Sequence, residues 1–143
     1  MDTPVIAVGI LGVAALGGAT LATFHLRSGS APKALAYGHG AIAATGVGTL
    51  AGAVIQGTAT GLACWSLALF ALAAAGGLTL LFAFRLRERP IPPAFIVGHG
   101  LIAATAYVLL CLGVLGRPDR DRALGAVPER APIAQPAEAH ARR

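Results

Sequence analysis

At 143 residues, with a mean hydropathy of +0.73 and 56% hydrophobic content, the chain is too apolar for an ordinary soluble domain. Only 12% of its residues are charged, roughly half the usual share. The net charge of +5 does not point to nucleic acid: the basic residues stand in short loops beside apolar segments and in a C-terminal stretch, where anionic lipid headgroups account for them.

Four segments, 5–24, 34–55, 61–84 and 94–115, contain no Asp, Glu, Lys or Arg. Crossing a hydrocarbon core takes about 20 helical residues, and in lipid each backbone amide must be satisfied within its own segment. The sequence therefore predicts an all-α integral membrane protein with four transmembrane helices. The first segment follows Asp2, Thr3 and Pro4 with no basic run ahead of it, so a cleaved signal peptide is not expected. A loop at 25–33 carries Arg27 and Lys33. The second segment ends at an uncharged connection, 56–60, and the third leads into a loop, 85–93, bearing Arg85, Arg87 and Arg89. Pro90, Pro92 and Pro93 stop the third helix and let the fourth begin.

After Gly116 the composition turns to Pro, Ala, Arg and Glu, which predicts a disordered polar tail over 117–143 with a solvated His140. The membrane domain is thus expected over 1–116. On the positive-inside rule the two basic loops face the cytoplasm and both termini the periplasm, although Arg117, Arg120 and Arg122 oppose that orientation. Ten arginines against one lysine fit a GC-rich bacterial genome, which suggests a bacterial inner membrane.

The chain contains an internal repeat. Shifted by 60 residues, 24–51 falls on 84–111 without a gap, with 13 identities in 28 positions. These include Leu26/Leu86, Arg27/Arg87, Pro32/Pro92 and the run Gly-His-Gly-x-Ile-Ala-Ala-Thr that begins at Gly38 and again at Gly98. Repeat one covers about 5–55 and repeat two about 61–115, with weaker similarity in the first and third helices. Each unit has two spans, so both copies enter from the same side. The repeats are parallel and related by a pseudo-twofold axis along the membrane normal.

His39 and His99 are the chemically notable residues. An ionisable ring inside a span is costly without partners and marks a functional hypothesis. Each lies sixth in its apolar segment, roughly 9 Å below the basic loops at about 1.5 Å per residue. If helices two and four share a diagonal of the bundle, the symmetry turns both imidazoles toward the axis. Two ligands alone make a poor zinc site, whereas a porphyrin supplies four further nitrogens, so haem b is the expected cofactor, with His39 and His99 as metal ligands. Gly38, Gly40, Gly98 and Gly100 would leave room for a flat macrocycle, as would the small residues Ala36, Ala43, Gly46, Ala103 and Ala106. Arg27, Lys33, Arg85 and Arg87 stand at the depth of its propionates.

The function expected on this reading is electron transfer by a small cytochrome-like protein or subunit, exchanging electrons with a quinone or a larger membrane complex. Two other classes remain open. The Gly/Ala spacing and the histidines also suit tight helix packing in a non-catalytic accessory subunit. A small transporter or channel is the third, weakened by the lack of any intramembrane carboxylate or inverted repeat. No nucleophile–base pair or nucleotide-binding motif occurs, so an enzyme acting alone is not expected. Cys64 and Cys111 fall at similar depth and read as two buried small hydrophobes, with a disulfide on an outward face as the alternative; Trp65 and Tyr37 read as interfacial anchors. Tyr107 calls for a hydrogen-bond partner. Thr45 and Thr105 are expected to bond back to the carbonyl four residues earlier.

Overall fold

The computed structural model describes residues 2–59 and 61–116. The segment 117–143, expected as a disordered tail, lies outside the described residues, as do His140 and the arginines weighed for orientation. The chain forms α1 (Thr3–Ser28), α2 (Lys33–Ile55), α3 (Leu62–Thr79), a π-helical continuation of α3 (Leu80–Arg85) and α4 (Pro93–Leu115). Each of the four rods is long and apolar enough to cross a membrane, and together they form an all-α bundle.

Helix ends follow local chemistry. Gly29 takes a left-handed conformation (φ 70°) and its N–H donates to the His25 carbonyl, closing α1. Pro32 and Pro92, a repeat pair, are both extended with ψ 133° immediately before α2 and α4. Pro93 occupies the first turn of α4, where its missing N–H costs nothing.

α1 packs on α2 and α4, and α3 on α4 and α2, so α2 and α4 stand on one diagonal of the bundle. Burial repeats with the chain. In α1 the buried positions are Pro4, Ala7, Leu11 and Ala14; in α3 they are Ala63, Ser66, Phe70 and Ala73, each 59 residues later. In α2, Gly46 and Leu50 are buried, and in α4 Ala106 and Leu110, each 60 residues later. Side chains on equivalent faces of the two copies thus build one shared core.

The change of register from 59 to 60 has a structural cause. At a shift of 59, Ala14, Ala15, Gly17, Gly18, Thr20 and Leu21 coincide with Ala73, Ala74, Gly76, Gly77, Thr79 and Leu80. At a shift of 60, Phe24, Leu26 and Arg27 coincide with Phe84, Leu86 and Arg87. The extra residue lies in the π-helical segment, where the Leu86 amide donates to the Leu81 carbonyl and the Arg89 amide to that of Phe84, each five residues back. A π-bulge is a one-residue insertion absorbed without breaking the helix.

The core is confined to one end. Buried residues stop at Ala14 in α1 and Ala73 in α3, and begin only at Gly46 in α2 and Ala106 in α4. Ala59, in the connection between copies, caps that packed end. Among the described residues none is fully buried over 15–45 or 74–105, the half that ends in the basic loops.

Candidate functional site

The two histidines lie in that open half. Sitting at matching positions on diagonal helices, the rings of His39 and His99 have centres 6.4 Å apart and planes inclined at 88°. Both rings are half-buried. Each is held by the other helix of its own repeat. His39 Nδ1 donates to the Ala14 carbonyl of α1 at 2.9 Å, and His99 Nδ1 donates to the Ala73 carbonyl of α3 at 2.9 Å. A carbonyl oxygen can only accept, so in the neutral rings the proton is on Nδ1 and the lone pair on Nε2.

Paired glycines make this docking possible. A Cβ added at Gly18 would stand 3.0 Å from His39 Cε1, and one at Gly77 3.2 Å from His99 Cε1. Gly17 and Gly76 are looser, with Nδ1 of the facing ring at 3.8 Å and 3.7 Å respectively. In an α-helix the carbonyl of residue 14 also accepts from the amide of residue 18. The ring therefore settles over the turn that supplies its acceptor, where a side chain in place of the glycine would crowd it. Ala14-x-x-Gly17-Gly18 and Ala73-x-x-Gly76-Gly77 are two copies of one imidazole seat. Sequence reasoning at a fixed shift of 60 misses them; a gapped self-comparison would have aligned them.

The glycines flanking the histidines are placed differently. At Gly38, Gly40, Gly98 and Gly100 an added Cβ would meet nothing within 4 Å. They leave open surface beside the ligand candidates rather than accommodating a neighbouring helix. Deeper in, Gly46 is filled in: a Cβ there would come within 2.7 Å of Leu11. Among the basic candidates, Arg27 and Arg87 are exposed, and Lys33 pairs with Glu88 at 3.6 Å on the surface. Arg85 is half-buried and reaches across to repeat one, where its Nη2 donates to the Ala31 carbonyl at 2.6 Å.

No family model, curated protein or solved structure matches this chain.

The remaining polar groups act within the scaffold. Thr45 and Thr105 donate back to Ala41 and Leu101, four residues earlier. Tyr107 Oη donates to the Val8 carbonyl at 3.3 Å, tying α4 to α1. Ser66, fully buried, donates to the Ala106 carbonyl at 2.8 Å. Cys64 and Cys111 are free thiols. Cys64 is exposed and Cys111 half-buried, not the two buried side chains expected: Cys64 follows the inward Ala63 and is turned about 100° outward.

Among the described residues, no cluster of three or more His, Cys, Asp or Glu forms a protein-only metal cage. What the site offers is two half-buried imidazoles on diagonal helices, each anchored through Nδ1 to the other helix of its repeat.

Proposed function

We propose that this protein binds haem b between His39 and His99 and serves as a small electron-transfer protein or subunit of the membrane. The observation that carries this reading is the 6.4 Å separation of the rings. With a metal–nitrogen bond of about 2.0–2.1 Å, two rings this close would lie within reach of one shared ion. The Nδ1 bonds to Ala14 and Ala73 add support. Metal-bound histidines almost always donate their other ring N–H to such an acceptor, which fixes the tautomer and raises ligand basicity. Two imidazoles would complete a metal whose other four positions a macrocycle fills.

Haem iron held this way supplies one-electron chemistry. The chain itself orients the two imidazoles, keeps their lone pairs on Nε2 and surrounds them with small residues. A quinone or a larger membrane complex is the proposed exchange partner, and a bacterial inner membrane with both termini periplasmic the proposed setting. The test is a reduced-minus-oxidised absorbance spectrum of the protein purified in detergent. Soret and α bands are expected, and His39→Ala or His99→Ala should each abolish them. Full haem spectra in both variants would overturn the assignment.

The same Nδ1 bonds favour a second reading. Each joins two helices of one repeat, and interhelical bonds of this kind support helix packing in membrane proteins with no cofactor, as a non-catalytic accessory subunit would need. A chain without chromophore, whose assembly weakens in His39→Ala and His99→Ala alike, would select that role.

A further inference from the structure

We propose that Arg85 binds an oxyanion, a carboxylate or phosphate group, in the mouth of the bundle between the histidines and the basic loops. Four observations converge on it. Arg85 ends the π-helical segment, so the inserted residue that breaks the strict repeat also sets the direction of this side chain. Its Nη2 is satisfied by a neutral acceptor, the Ala31 carbonyl. Its Nε is buried and has no hydrogen-bond partner. A buried, unpaired donor on a charged group is costly and calls for an acceptor.

Charge completes the argument. Among the described residues the only acids are Asp2, at the opposite end of α1, and Glu88, which pairs with Lys33. Arg85 therefore has no carboxylate counter-ion there, although a guanidinium is matched in shape to a carboxylate or phosphate and can donate two parallel bonds to it. The equivalent position in repeat one is His25, so the site belongs to one copy only. It stands eight residues beyond Gly77, about 12 Å along the helix from the seat of His99. The half of the bundle between them contains no fully buried side chain.

Two sources of the oxyanion fit this place: a carboxylate of the cofactor, which rests on the haem reading, and the phosphate of a lipid headgroup, which does not. The experiment has an arm for each. Full-length protein is titrated with haem and with its dimethyl ester, and separately assayed by native mass spectrometry for retention of phosphatidylglycerol against phosphatidylcholine. Arg85→Gln and Arg85→Lys are compared with the exposed Arg89→Gln as control. If the cofactor supplies the group, Arg85→Gln weakens haem about tenfold or more, leaves the ester unchanged, and Arg85→Lys recovers part of the loss. If lipid supplies it, wild-type protein retains phosphatidylglycerol preferentially and Arg85→Gln removes the preference.

The wild-type measurements stand even where a variant fails to fold. Equal affinity for haem and ester, together with no preference between the two lipids, overturns the proposal. Should the protein take up no haem at all, the haem reading fails and the lipid arm alone decides whether the oxyanion site exists.

Discussion

At the scale of single residues, the contrast between neighbouring glycines is the sharpest feature of the site. Gly18 and Gly17 are adjacent, yet a methyl group on Gly18 would press on His39 Cε1 at 3.0 Å, whereas one on Gly17 would make ordinary contact, 3.7 Å from Cβ. Gly18→Ala should therefore tilt the ring off the Ala14 carbonyl, while Gly17→Ala leaves it seated. Nitrogen-15 chemical shifts of the imidazole report this directly: the Nδ1–H tautomer should persist in Gly17→Ala and give way to exchange in Gly18→Ala. Identical spectra for the two would mean that glycine is not needed for the seat. A comparable contrast holds in the packed end. Gly46→Ala drives a Cβ within 2.7 Å of the Leu11 side chain, and overpacking of this kind costs about 1–3 kcal/mol. Unfolding in mixed micelles should show that loss, and trimming Leu11 to Ala in the same chain should return much of it.

Elements show where duplication was exact and where it drifted. α1 and α3 share a buried face at a shift of 59, α2 and α4 at a shift of 60, and the π-helical segment takes up the difference. Deleting Ala83 should convert that segment to regular α-helix and turn Arg85 by about 100°. Four spans should survive, while the bond to Ala31 is lost and the guanidinium becomes more reactive toward phenylglyoxal. Unchanged reactivity would show that the bulge does not aim this side chain. Ser66 is another departure from symmetry, since its counterpart is Ala7. Its bond to Ala106 crosses from α3 to α4, and bonds of this type in membrane proteins average about 0.6 kcal/mol and reach about 1.7. Ser66→Ala should cost an amount in that range by the same unfolding measurement, because repeat one already packs an alanine there.

For the whole molecule, the parallel repeat fixes which ends share a side of the membrane. Reporter domains fused after Gly57 and after Gly116 should be active on one side, and those after Gly29 and after Glu88 on the other. Discordance between the first two would contradict two copies entering from the same side. The bundle is also asymmetric along its axis. One end is closed by Leu11, Leu50, Phe70, Leu110 and the capping Ala59, while the histidine end has no fully buried residue among those described. Fully buried side chains are thus confined to one half of the described bundle, and the two histidines lie in the other.

The four spans, the duplication, the shared depth of His39 and His99 and the likeness of the two basic loops were all legible in the amino-acid order. They depend on length, apolarity and spacing, which are properties of the chain itself. The diagonal pairing of α2 and α4 followed from the repeat once a bundle was assumed. Only the tertiary structure decided what each imidazole touches. The Ala14 and Ala73 carbonyls, the Gly18 and Gly77 seats and the cross-repeat bond of Arg85 join residues 25, 26, 21, 22 and 54 positions apart, and no local pattern encodes such contacts. A helix shows its acceptors only when a neighbour docks against it, and a single inserted residue rotates everything beyond it by about 100°. Contacts between helices therefore had to be read from packing, whereas the helices themselves did not.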